Sequence, residues 1–133
     1  MTGAHPFAVY LTFNGNCREA FRYYQDCFGG ELQVQTLADT PDGSRMERKM
    51  RNAVITAVLE NDYLKLVGTD LSGEGRLVPG NKVSILVQCG SVNERASLIF
   101  RMTGVSAYVA EDRNPVVGIT DRYSVRWLLS IND

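Results

Sequence analysis

Asn14-Gly15-Asn16-Cys17-Arg18-Glu19-Ala20-Phe21-Arg22-Tyr23-Tyr24-Gln25-Asp26-Cys27-Phe28-Gly29-Gly30-Glu31-Leu32 holds a strand end, a capped helix, a glycine stop and the start of a second strand. Asn16 followed three residues later by Glu19 has the spacing of a capping box. Cys17, Ala20, Phe21, Tyr24, Cys27 and Phe28 recur at intervals of three and four, so they form one apolar stripe. Arg18, Glu19, Arg22, Gln25 and Asp26 fall opposite, and the helix must therefore lie on a sheet. Gly29-Gly30 ends it, because glycine enters the left-handed region without a Cβ penalty. Leu32, Val34 and Thr36 then alternate as a strand does.

Outward from this stretch the pattern continues. Ala8 to Phe13 reads as the first strand, with Leu11 and Phe13 on one face and Tyr10 and Thr12 on the other. After the Glu31 to Ala38 strand, residues 39–44 collect turn formers and form an exposed loop. Met46 to Leu59 turns from polar to almost continuously apolar over Ala53 to Leu59, which suits a strand buried on both sides. Glu60-Asn61-Asp62 makes a turn and Tyr63 to Val67 returns as the antiparallel partner. Residues 71–81 are a glycine-rich linker.

Lys82 to Cys89 is the next strand, and Ser91 with Glu94 repeats the capping-box spacing ahead of a second helix. Val92, Ala96, Ile99, Phe100 and Thr103 supply that helix's stripe, and Gly104 stops it. Strands are expected at Ser106 to Ala110, Val116 to Thr120 and Val125 to Ile131, with a turn at Asp121 to Ser124 between the last two. The order of elements repeats, which argues for two βαβββ modules, 6–70 and 82–133, within a single 1–133 domain.

Composition narrows the function. The chain has 133 residues, 44% hydrophobic and 22% charged, which suits one domain able to bury its own core. A formal net charge of -1 supplies no basic field for nucleic acid or an anionic membrane. No apolar run approaches the roughly 20 residues of a membrane span, and the first six residues lack signal-peptide character, so a cytoplasmic location is expected. The three cysteines lack metal-type spacing and read as buried reduced thiols. Gln88, Gly90 and Ser91 give Cys89 no neighbouring positive charge that would activate it.

The segments Gly15 to Ala20, Tyr24 with Cys27 to Leu32, and Thr120 to Trp127 resemble the PhnB-like branch of the vicinal oxygen chelate superfamily. That superfamily contains glyoxalases, bleomycin-resistance proteins and extradiol dioxygenases, and the resemblance spans essentially the whole chain. It implies an α+β fold in which two βαβββ modules form a cup-shaped, partly open eight-stranded barrel, commonly completed as a homodimer. It also implies that enzymes of the superfamily hold a divalent metal in the cup, whereas relatives that bind drugs need none.

A metal of that kind needs three or more imidazole or carboxylate donors. The first strand offers none, Thr56 stands where PhnB-like proteins often have His, Val58 stands where they often have Glu, and the last strand has no ligand type. The single histidine, His5, precedes the first strand; Glu47, Glu60 and Glu111 lie at strand margins or turns; Gln88 alone fits a ligand position. The segment Tyr108 to Thr120 is shorter than its family counterpart. No Gly-x-Ser-x-Gly elbow, phosphate-binding loop or cofactor-binding glycine turn occurs, so Ser-His-Asp and methyltransferase readings lack support.

The expectation is a protein that binds a small, partly apolar molecule without metal or cofactor, with Tyr10, Thr12, Thr56, Ser84 and Gln88 as hydrogen-bonding groups. The alternatives are a metal-dependent lyase or dioxygenase of the superfamily and a ligand-free dimeric interaction module.

Overall fold

The computed structural model describes residues 6–41, 43, 48–71, 77–78, 80, 82–105 and 114–131. Its strands are β1 (Val9–Thr12), β2 (Glu31–Thr36), β3 (Val54–Glu60), β4 (Lys65–Thr69), β5 (Ile85–Cys89), β6 (Val116–Thr120) and β7 (Arg126–Ile131). The helices are α1 (Cys17–Phe28), the one-turn α2 (Arg48–Arg51) and α3 (Val92–Thr103), and a 3-10 turn at Leu37–Asp39 ends the strand expected to reach Ala38. Two compact units result, Met1–Leu77 and Val78–Asp133. The architecture is α+β, as the sequence implied. No helix among the described residues is long and apolar enough to cross a membrane.

In the first unit the sheet order is β1-β4-β3-β2. β1 pairs parallel with β4, and β3 pairs antiparallel with both β4 and β2. The expected β3–β4 hairpin is therefore present, with the polar head of the expected Met46 to Leu59 strand replaced in part by α2. The stripe of α1 is buried at Cys17, Ala20, Phe21, Tyr24 and Cys27. Phe21 meets Phe13 and Tyr24 edge-on, with ring centroids 6.0 and 5.8 Å apart, a favoured aromatic arrangement. Gly68 of β4 leaves the space that the Phe21 ring occupies, since a Cβ there would overlap Phe21 Cε1. Helix and sheet thus interlock at one missing side chain.

The start of α1 differs from the capping-box expectation. Asn16 makes no side-chain cap. Asp70, just past β4, takes over: its Oδ1 accepts from the N–H groups of Gly15 and Cys17 at 2.9 Å each, and its Oδ2 accepts from Val54 N at 2.9 Å. A carboxylate is a stronger acceptor than an amide oxygen and favours the positive end of the helix dipole. At the other end Gly29 and Gly30 have φ of 74° and 112°, and a side chain at Gly30 would lie 2.6 Å from the Glu60 carbonyl. Asn61 ties this end down: its Nδ2 donates to the Phe28 and Gly29 carbonyls, while its Oδ1 accepts from Tyr63 N and Leu64 N.

In the second unit the order is β5-β7-β6, with β5 parallel and β6 antiparallel to β7. This repeats the first unit: the opening strand lies parallel to the last, and the last pairs antiparallel with the one before it. The expected strand Ser106 to Ala110, which would match β2, lies outside the described residues.

Here the capping motif is realised. Ser91 Oγ accepts from Glu94 N at 3.1 Å, and Glu94 reaches back to Gly90 N at 2.7 Å. The stripe of α3 is rotated from the expected one. Arg95 and Met102 are its buried residues, whereas Phe100 is 52% exposed and Thr103 is exposed. A buried arginine needs acceptors, and Arg95 Nη1 donates to Asn114 O at 2.8 Å and Leu129 O at 3.4 Å. The turn at Asp121 is built on one carboxylate: Oδ1 accepts from Tyr123 N and Val125 N, and Oδ2 accepts from Trp127 Nε1 at 2.8 Å.

Candidate functional site

Strand register assigns each residue to a sheet face. In the first unit Gly68 faces α1, and its partners Ala57 and Leu11 share that face. Alternation then puts Tyr10, Thr12, Val67, Val58 and Thr56 on the opposite face, with Gln33 and Gln35 of β2 beside Val58 and Thr56. Tyr10 is 63% exposed, Thr12 is exposed and Thr56 is half-buried. Three of the five expected site residues therefore share one face. Thr69 also belongs to it by register, but its hydroxyl is committed to the backbone, donating to Val54 O and accepting from Leu71 N.

In the second unit Cys89, Trp127 and Leu129 are buried on the α3 side. Leu86, Gln88, Leu128, Ser130 and Arg126 occupy the other side, with Gly118 and Thr120 of β6. Gln88 is exposed, Leu86 is 54% exposed, and Ser84, one residue ahead of β5, is half-buried. Ser84 and Gln88 are thus on one face of this unit's sheet. Arg126 is not among the expected site residues, since a guanidinium is no metal ligand; its alternation with the buried Trp127 is the signal that puts it on the open face.

The thiols are structural. All three cysteines are free and buried. Burial, reinforced by the Asp70 carboxylate and opposed by Arg18, pushes the Cys17 thiol up to about 12. For Cys89 the expectation of no nearby cation needs correction, because Arg95 of α3 pulls its thiol down. Burial outweighs that pull, and Glu94 adds to the upward shift, so the thiol stays above its ordinary value.

Among the described residues no three His, Cys, Asp or Glu side chains come together in a way that could hold a metal ion. Glu60 ends β3 and is exposed. His5, Glu47 and Glu111 lie outside the described residues, as does the segment 108–113 of the shortened stretch.

No family model matches the sequence, and no curated protein matches it. Solved structures do. Protein PA1353 from Pseudomonas aeruginosa is 25% identical with a TM-score of 0.73, over 95% of this chain and 96% of that one. A PhnB protein from Bacillus cereus is 16% identical with a TM-score of 0.71, over 96% of this chain and 100% of that one. A glyoxylase/bleomycin resistance protein/dioxygenase domain from a Frankia species is 15% identical with a TM-score of 0.55, over 95% of this chain and 90% of that one. With its paired βα units and these neighbours, the chain has the fold of the vicinal oxygen chelate superfamily, in the form taken by the PhnB-like proteins.

Proposed function

We propose that this chain binds a small, partly apolar molecule without a metal, on sheet surface that the helices leave uncovered. The observation that supports this most is the make-up of the face opposite α1. Tyr10, Thr12 and Thr56 bring hydroxyls and Gln33 and Gln35 bring amides, around the apolar Val58 and Val67. Binding sites for small molecules combine apolar area with a few placed hydrogen-bonding groups in this way. The name of the Frankia domain joins bleomycin resistance to glyoxylase and dioxygenase, and sequestration of a drug-like molecule is the activity class of this reading. A cytoplasmic homodimer that contacts neither nucleic acid nor membrane completes it.

A melting screen against aromatic, cationic and planar antibiotics tests the proposal, because a ligand that binds only the folded state raises the melting temperature. At least one compound should raise it, and Tyr10→Ala should reduce the rise, since an exposed tyrosine can be removed without opening the core. No shift across a broad panel would favour the ligand-free dimeric interaction module. A stoichiometric metal in protein purified without chelator would favour the lyase or dioxygenase reading.

A further inference from the structure

The open face of the β5-β7-β6 sheet is polar in one row and apolar in the next. Thr120 pairs with Arg126, and Gly118 and Leu86 both pair with Leu128. Ser84 stands just before Ile85, whose partner is Trp127, so the same register continued one step puts Ser84 level with Arg126. The first row is therefore hydroxyl, guanidinium, hydroxyl, with neighbouring strands about 4.8 Å apart. The second, about 6.6 Å further along the strands, is Leu86, Leu128 and then the bare Gly118 at the sheet edge.

Gly118 has a specific consequence for Arg126. A Cβ there would lie 3.1 Å from Arg126 Nη2 and 3.4 Å from Leu128 Cδ2. The guanidinium is folded back over the bare backbone of Gly118, toward the leucine row. Arg126 is exposed, and among the described residues no hydrogen bond or ion pair occupies its side chain. The described residues of this face include no carboxylate.

We infer that this face takes a carboxylic acid with an apolar body, its carboxylate on the Arg126 guanidinium above Gly118 and its body on Leu128 and Leu86. The inference rests on the proposal of small-molecule binding and names the ligand's class. A guanidinium presents two parallel N–H donors that match a carboxylate. Gly118 and Leu86 are two strand spacings apart, about 9.6 Å, which leaves room for about one ring or a short chain beyond the carboxylate. Within strands β5, β6 and β7 as described, Arg126 is the one cation on this face, and a phosphate dianion would call for more.

Titrating the full chain with benzoate, 2-naphthoate and octanoate, each beside its neutral amide, tests the inference by backbone amide chemical shifts. The acid should bind at least about tenfold more tightly than its amide, with shifts centred on Gly118, Thr120 and Leu128. Arg126→Gln should abolish that preference, and Gly118→Ala, which displaces only the end of a flexible side chain, should weaken it. Melting temperatures close to wild type certify the fold of both variants. Equal binding of acid and amide, no binding of any acid, or a preference that survives Arg126→Gln would overturn the assignment. Tighter binding of phenyl phosphate than of benzoate would overturn the choice of carboxylate. If neutral compounds bind here or in the antibiotic screen while the acids gain nothing, this inference alone fails; silence from every compound removes small-molecule binding with it.

Discussion

Asp70 and Cys17 show how a single residue acts on the fold from far along the chain. Asp70 joins the start of α1 to the start of β3 through three backbone N–H groups. Asp70→Asn turns one acceptor oxygen into an amide that faces a donor, so at least one charge-assisted bond is lost and one N–H is left without it. The expected cost is about 2 to 4 kcal/mol, read from urea unfolding; a change below about 0.5 kcal/mol would mean that the carboxylate is a spectator. The same carboxylate helps to hold the Cys17 thiol protonated. The ordinary value for this thiol is 9.0 and its folded value is about 12. Above pH 9 the unfolded chain releases a proton that the folded chain keeps, so the unfolded state binds fewer protons and stability falls as pH rises. The contribution is whole below 9.0 and is lost up to about 12, with a limiting slope of about 1.4 kcal/mol per pH unit. Comparing wild type with Cys17→Ala on either side of pH 9 isolates it: the stability gap should narrow as pH rises. A gap constant with pH would show that the thiol ionises equally in both states.

At the scale of elements, the two helices test the same sequence motif with opposite outcomes. Ser91 caps α3, whereas Asn16 caps nothing at α1. Ser91→Ala should therefore cost about 1 kcal/mol, and Asn16→Ala only a few tenths, in chemical denaturation. Equal costs would mean that Asn16 acts through a contact other than a helix cap. The contrast also shows what was legible. Apolar alternation and the three-four stripe are local, so α1, the β3–β4 hairpin, β5 and the faces of Tyr10 and Gln88 could be read from spacing alone. Asp70 at the start of α1 could not, because it arrives from over fifty residues away through the parallel pairing of β1 with β4. The α3 stripe misled for a related reason: a rule that counts only apolar residues assigns Arg95 to solvent. The carbonyls of Asn114 and Leu129, which make its burial tolerable, come from distant sequence. Arg126 is legible by its alternation with Trp127, but a guanidinium has no lone pair for a metal, so a ligand criterion does not select it.

At the scale of the molecule, what separates the metal-free reading from a superfamily enzyme is the supply of donors. A divalent ion is held against water by imidazoles and carboxylates that converge before it arrives. This chain has one histidine in 133 residues, and no three candidate donors cluster among the described residues. Hydroxyls and amides instead occupy the face opposite α1, and a guanidinium lies on the face opposite α3. A cation there would be repelled by Arg126 where an anion would be drawn to it. Protein purified without chelator should accordingly carry far less than one Ni, Zn, Fe or Mn ion per chain by elemental analysis. Chelator should leave the melting temperature unchanged, and adding each ion should not raise it, because an ion with no site in the folded state has no linkage to folding. A melting temperature that falls with chelator and returns with one particular ion would place a metal centre in this protein, and the lyase or dioxygenase reading would then replace simple binding.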